Sequence, residues 1–127
     1  MTISDEEKRK IRENWRIRSE KEREKEKIRR KEAMDRVYKI AKFLKEKYSV
    51  KRVILYGSLA REGPFDDLSD IDIFVDGWDD SKFNYWSMFI EVEDIARPYK
   101  VSVVTQKDVG QALLKEIAKE GREIVCG

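Results

Sequence analysis

Apolar positions divide this chain into two regimes. Between Ser4 and Glu32 they are sparse (Ile11, Trp15, Ile17 and Ile28) in a field of Lys, Arg and Glu that contains no Gly or Pro. Ser4 followed by Glu7 is a capping-box pattern, which predicts a helix starting there. Acid-to-base pairs four residues apart, Glu6 to Lys10 and Glu26 to Arg30, add a few tenths of a kcal/mol each. From Ala33 the pattern tightens. Met34, Val37, Tyr38, Ile40, Ala41 and Leu44 recur at three-four spacing, an amphipathic helix that ends near Tyr48. Two short apolar runs, Val53 to Tyr56 and Ile71 to Val75, read as strands. Gly77 ends the second, and Asp79, Asp80 and Ser81 offer caps. A helix from Lys82 to about Ala96 follows, with Phe83, Trp86, Phe89, Ile90 and Ile95 expected in the core, and Arg97-Pro98 stops it. Then come a strand from Val101 to Thr105 and a helix from about Asp108 to Glu120 with Leu113, Leu114 and Ile117 inward. Gly121 caps that helix, and a short strand, Glu123 to Val125, closes the chain.

The chemistry concentrates between the first two strands, in the text VILYGSLAREGPFDDLSDIDIFV. Alternate side chains of a strand share a face, so Asp70 and Asp72 are expected to project together while Ile71, Ile73 and Val75 go to the other face. Two adjacent carboxylates repel unless a cation lies between them, and ligands that are all oxygen suit Mg²⁺ or Mn²⁺. Gly57 and Ser58 supply backbone N–H groups and a hydroxyl, the parts that hold a phosphate. A phosphate holder beside a metal holder points to nucleotide chemistry. A hairpin with solvated turn aspartates is the bland alternative, and it leaves unexplained why Asp occupies a strand-like run that disfavours it.

The stretch GSLAR followed by SDIDIFV resembles the signature of the minimal nucleotidyltransferases of the DNA polymerase β-like superfamily, including antitoxins of the MntA type. The likeness extends over roughly residues 36 to 126. It implies an α+β fold, a small mixed β-sheet with packed helices like a polymerase palm, preceded here by a long charged N-terminal helix. It also implies a division into residues 1–32, a charged extension, and 33–127, a nucleotidyltransferase-like domain. In such a site Gly57 and Ser58 hold the triphosphate of an NTP, by expectation ATP, and Asp70 and Asp72 are catalytic and ligate Mg²⁺ or Mn²⁺. Arg61 either contacts phosphate or packs structurally. Many small members of the family pair with a HEPN-domain protein as the antitoxin of a toxin–antitoxin module.

One position departs from the family pattern. A third carboxylate is expected on a later strand, and the matching text is Val101-Ser102-Val103-Val104-Thr105, so Ser102 stands where the acid should be. In two-metal transfer one ion activates the attacking hydroxyl and the other steadies the triphosphate. A neutral serine holds the activating ion poorly, so nucleotide binding is expected to outlast transfer. Glu91 or Glu93 is either a substitute ligand or an ordinary helix carboxylate. Ser102 itself is expected to face Asp70 across adjacent strands.

Composition narrows the rest. The chain has no histidine, which removes His triads, His metal sites and His general bases. Its lone Cys126 has no partner for an internal disulfide. No run of eighteen apolar residues and no signal sequence appear, so no membrane role and a cytoplasmic location are expected. A net charge of +2 gives no global field toward nucleic acid. From Asp5 to Glu32 there are nine acids and thirteen bases. That arm is a solvated helix, a protein-contact or self-association arm anchored by Ile11 and Trp15, or a nucleic-acid arm around Arg29-Arg30-Lys31 whose field the glutamates dilute. Three functional classes follow. One is transfer of a nucleoside monophosphate to a hydroxyl acceptor. Another is a catalytically weakened nucleotide-binding subunit acting by contact with a HEPN-type partner, and the third is a structural helper that self-associates through the arm.

Overall fold

The computed structural model describes residues 3–61, 65 and 69–125; Cys126 lies outside them. Three helices and four strands follow in chain order: α1 (Asp5–Tyr48), β1 (Arg52–Tyr56), β2 (Ile71–Asp76), α2 (Tyr85–Ala96), β3 (Val101–Thr105), α3 (Gln111–Glu120) and β4 (Arg122–Glu123). The strands form one sheet in the order β3-β2-β1-β4. β1 runs antiparallel to β2 and to β4, while β2 and β3, linked through α2, are parallel. The sheet is therefore mixed and the fold is α+β, as expected.

Local sequence explains most element ends. The Ser4 side chain accepts the Glu7 N–H at 3.2 Å and caps α1, and acids fill the first turn while Lys45 and Lys47 sit in the last, both favourable to the helix dipole. The helix does not break where its composition changes. It continues for 44 residues, about 66 Å at 1.5 Å per residue, and Ala33 is the first fully buried position. Val37, Ile40, Ala41 and Leu44 follow it into the core.

The sheet divides the apolar residues in two. On one face Val53, Leu55, Ile71, Ile73, Val75 and Val103 pack with α1 and with Met88, Val92 and Ala96 of α2. On the other, Tyr56, Phe74 and partly buried Ile54 pack with Ile117 and Leu113 of α3.

Several inward assignments are corrected. α2 starts at Tyr85, where the Asn84 side chain accepts the Ser87 N–H at 3.1 Å, and not at Lys82. With that start, Tyr85, Met88, Phe89, Val92 and Ala96 form the inward stripe. Trp86 lies one residue, or 100°, further round and is 67% exposed, and Ile90 is 65% exposed. Tyr38 and Leu114 are exposed for the same rotational reason, since Val37, Ala41 and Ile117 take the inward side. The last strand is Arg122–Glu123, shorter and earlier than expected. Beyond it the Ile124 N–H donates to Val53 O at 2.8 Å, and the Ile124 side chain turns into the core.

Leu44→Ala should cost about 2–5 kcal/mol, the usual range for emptying a fully enclosed leucine site. Trp86→Ser should change stability by no more than about 0.5 kcal/mol, as at an ordinary surface position. Urea unfolding followed by circular dichroism checks both, and a large loss for Trp86→Ser would contradict the register of α2.

Candidate functional site

The site forms where β1 ends and β2 begins. β1 leads into a 3₁₀ turn, Gly57–Leu59, in which Gly57 has φ of +74° and its carbonyl accepts the N–H groups of Ala60 and Arg61, both at 3.1 Å. Antiparallel pairing sets Tyr56 opposite Asp72, and the Asp72 carboxylate folds back over the turn. A Cβ on residue 57 would fall on Asp72 Oδ2. Gly57 is thus required twice, by its left-handed backbone and by the carboxylate lying against it.

Across the sheet, Asp72 pairs in register with Ser102 of β3. Tyr56, Asp72 and Ser102 form a row over three strands on the α3 side, away from the larger core. Asp70 precedes β2 and is exposed; the strand starts one residue later, where the Ile71 N–H donates to Lys100 O at 2.8 Å. The expected pairing of Ser102 with Asp70 is therefore corrected to Ser102 with Asp72, because β2 and β3 come into register only from Ile71 and Val101 onward.

The electrostatics single out Asp72. Burial first, then the Asp70 and Glu116 charges, push its carboxyl up to about 6, against a smaller opposing pull from Arg61. The same surroundings act on Tyr56, whose hydroxyl is raised to about 12 by burial, Asp72 and Glu116. Negative charge is thus concentrated here beyond what nearby bases offset, an arrangement that a bound cation would relieve. Asp70 and Asp72 suit such an ion as two oxygen ligands. Among the described residues no three acid, His or Cys side chains gather as a metal cage, so the remaining ligands would have to be water and phosphate oxygens.

Arg61 leaves the turn toward α3. Its Nη2 donates to Glu116 Oε1 at 3.3 Å, and its Nε lies 3.0 Å from Glu120 Oε2. The second contact is an ion pair off the N–H axis, and that buried oxygen has no hydrogen-bond donor among the described residues. Of the two roles left open for Arg61, this arrangement displays the structural one. The loop is also strapped to α1. Arg30 Nη1 donates to Leu59 O at 3.0 Å and Arg61 O at 3.1 Å, Arg29 donates to Phe65 O at 3.1 Å, and the Phe65 N–H donates to Glu26 Oε1 at 3.3 Å.

Neither Glu91 nor Glu93 is available as a third ligand. Both lie on α2, which covers the opposite face of the sheet. Glu91 there accepts from Lys47 Nζ at 2.6 Å and from the Tyr48 hydroxyl at 2.7 Å. The residues that sequence reasoning missed are Tyr56 and Glu116. Tyr56 reads as one more apolar strand residue. Glu116 stands 44 positions from Asp72 in a helix full of Lys and Glu, and no local pattern marks it.

Residues 38–127 match the polymerase beta nucleotidyltransferase family. The chain belongs to that family. A putative protein adenylyltransferase of Methanocaldococcus jannaschii is 34% identical over 82 residues, covering 62% of this chain and 80% of that protein. Among solved structures, a mutant of the MntA toxin–antitoxin complex superposes with a TM-score of 0.58 at 20% identity, covering 72% of this chain and 73% of that one. An MNT antitoxin complex with the tri-AMPylated HEPN toxin of Shewanella oneidensis gives 0.54 at 19% identity, covering 75% and 73%. A toxin–antitoxin structure with AMP-PNP gives 0.56 at 18% identity, covering 71% and 73%. The nucleotidyltransferase fold is thus the fold of this chain, and no helix among the described residues is long and apolar enough to cross a membrane.

The raised Asp72 carboxyl has a measurable consequence. The folded state binds this proton more tightly than the unfolded chain, so ionising Asp72 destabilises the fold as pH rises from about 4 through about 6. Asp72→Asn should flatten that part of the stability–pH profile. At pH 7.5 without divalent ions it should gain about 1–2 kcal/mol, the two-unit shift discounted for solvent screening. Thermal melts of both proteins from pH 4 to 8 check it, and parallel profiles would contradict the assigned burial.

Proposed function

We propose that this chain binds ATP together with Mg²⁺ or Mn²⁺ at the Gly57–Asp72 turn and transfers AMP to a hydroxyl on a partner protein. The observation that carries this reading is the Asp72 carboxylate packed against a glycine turn, with Asp70 adding negative charge beside it. In this reading the N–H groups of the Gly57–Ser58 turn, with the Ser58 hydroxyl, cradle the triphosphate. Asp70 and Asp72 hold the cation, whose chemistry is to neutralise the phosphates and lower the pKa of the attacking hydroxyl. The acceptor oxygen bonds to the α-phosphorus, the bond to the β-phosphate bridging oxygen breaks, and pyrophosphate leaves while the hydroxyl proton passes to solvent. Arg61 follows the same turn, and turning to a phosphate would exchange its ion pairs with Glu116 and Glu120 for one with the ligand. The AMPylated HEPN toxin held by a fold relative supports a HEPN-type protein as the acceptor.

Ser102 favours a second reading, in which nucleotide is bound and transfer is weak, and the chain acts on its HEPN-type partner mainly by contact. Asp72 has a neutral neighbour in register where the family places an acid. A cation then has two protein carboxylates rather than three.

ATP with Mg²⁺ at about one hundred times Kd should stabilise the fold by about 2.7 kcal/mol, read as a rise in melting temperature. Asp70→Asn combined with Asp72→Asn should abolish the rise. If no NTP with either metal shifts the wild type, nucleotide binding is wrong for this chain.

Ser102→Asp separates the two readings. Without metal a third carboxylate beside Asp72 should lower the melting temperature, and Mn²⁺ should restore it. With ATP and an acceptor present, AMP transfer should exceed the wild-type rate if the missing acid is limiting. Equal destabilisation with and without Mn²⁺ would show that position 102 does not reach the cation.

A further inference from the structure

The N-terminal part of α1 is a surface that neither the core nor the nucleotide site uses. Every residue from Ile3 to Lys25 is exposed, although the helix is continuous with the buried stripe that begins at Ala33. Its bases are not spread evenly. Arginine recurs every seventh residue, at Arg9, Arg16, Arg23 and Arg30. Seven residues fall about 20° short of two full turns, so such a series stays on one slowly winding stripe. Arg12 and Lys27 lie between its members at three-four spacing. The side chains confirm the shared face: Arg9, Arg12 and Arg16 line one shallow depression with Glu13, and Arg23, Lys27 and Arg30 line another with Glu26. The glutamates Glu6, Glu13 and Glu20 repeat with the same period but three residues earlier, on the neighbouring ridge.

Among the described residues no ion pair ties down Arg9, Arg12, Arg16 or Arg23, unlike Arg61 or Lys47 elsewhere. Arg30, at the foot of the stripe, donates to the carbonyls of Leu59 and Arg61 beside the Gly57 turn. The basic triplet 29–31 is thus used largely to hold the loop, and the free cationic surface is the stripe above it. Trp15, three residues after Arg12, is 63% exposed, with the Arg18 guanidinium 6.0 Å from its ring centroid.

We propose that this stripe binds a single-stranded polynucleotide, with the arginines on successive phosphates and Trp15 as a stacking platform. The chemistry of the face selects that occupant. It offers regularly repeated guanidinium groups with the exposed ring of Trp15 on the adjoining flank, beside Arg12 and Arg18, the combination that single strands use. A protein partner or a second copy would need a continuous apolar seam, and Ile11 with Trp15 makes one isolated pair from which Ile17 and Ile28 stand apart. From Arg9 to Arg30 the stripe spans about 32 Å along the helix, and it descends to the turn that carries Ser58. The low net charge of the chain is no obstacle, because bases outnumber the interleaved Glu13 and Glu26 three to one in the two depressions along the stripe.

The test is fluorescence anisotropy with the full chain and labelled mixed-sequence 20-mers of RNA and of DNA, without nucleotide or metal, from 50 to 200 mM salt. Four phosphate contacts give a slope of log K against log salt near −2.8, a loss of about fifty-fold across that range. Arg9→Glu, Arg16→Glu and Arg23→Glu together should weaken binding at least thirty-fold and flatten the slope to about −0.7, one remaining contact. Lys10→Glu, Lys21→Glu and Lys25→Glu make the same change in net charge outside the heptad series of arginines and should cost no more than about threefold. Trp15→Ala leaves the charge intact and should cost about tenfold, in line with loss of one stacked base. Glutamate favours helix, and circular dichroism verifies that the arm survives; Trp15→Ala tests the adjoining flank without touching the arginines.

The RNA and DNA arms distinguish the two possible strands. No wild-type binding at 50 mM salt overturns the proposal. So do equal losses in the two triple variants, or a duplex bound more tightly than the strand with no effect of Trp15→Ala. Undiminished oligonucleotide binding by the stripe variant together with loss of a dimer in light scattering would make the arm a protein interface instead. Strand binding by the Asp70→Asn, Asp72→Asn protein should match wild type, so this inference and the nucleotide site stand or fall separately.

Discussion

The close approach of the Asp72 carboxylate to the backbone of Gly57 is the contact on which the rest of the site depends. It requires β1 and β2 to pair antiparallel in one register, so that Tyr56 stands opposite Asp72 and the turn after Tyr56 curls over it. Slipping that pairing by one residue would send Asp72 to the core face and Ile71 to the cleft, with loss of the apolar packing of Ile71, Ile73 and Val75. The core therefore enforces the geometry of the site. The two small hydrophobic faces are the means by which a polar pair is held where solvation alone would not place it.

α1 serves this arrangement at two points. Its buried stripe from Ala33 to Tyr48 forms one wall of the larger core. Its preceding turns, through Glu26, Arg29 and Arg30, hold the backbone at Leu59, Arg61 and Phe65. A loop that leaves the end of a strand would otherwise carry unpaired carbonyls, and guanidinium donors satisfy those of Leu59, Arg61 and Phe65 while fixing the direction in which Arg61 departs. The charged residues nearest the domain are thus structural. Those further along the helix touch nothing else among the described residues, and this difference separates loop-holding arginines from the stripe above them.

Charge in the cleft is left out of balance. Asp70, Asp72 and Glu116 act together on one small volume, and the base nearest to them, Arg61, is shared with Glu116 and Glu120. The cost appears as the raised Asp72 carboxyl. Such a cost is typical of sites arranged for a ligand that brings its own charge, which the proposed cation and triphosphate would supply. The neutral Ser102 in register with Asp72 adds no further repulsion to the cleft, and it would leave the proposed cation with one carboxylate fewer.

Much of this was legible in the sequence, because the informative rules are local. Periodicity located the helices, the Ser4–Glu7 box started α1, and the SDID alternation put Asp72 and Ile71 on opposite faces. The motif between Tyr56 and Val75 pointed to the fold through a pattern that needs no knowledge of distant residues. What the sequence could not determine were rotations and partners. Trp86 and Ile90 follow a helical period but sit on its outer side, since each lies one residue, or 100°, beyond the inward-facing Tyr85 and Phe89. Glu91 could not be excluded as a ligand until α2 was seen on the far face of the sheet. Ser102 faces Asp72 rather than Asp70 because strand register is set by packing across the whole sheet. Glu116 enters the site only because α3 folds back over Tyr56 and Phe74. Each of these depends on contacts between segments far apart in the chain, which local propensity does not encode and tertiary packing alone decides.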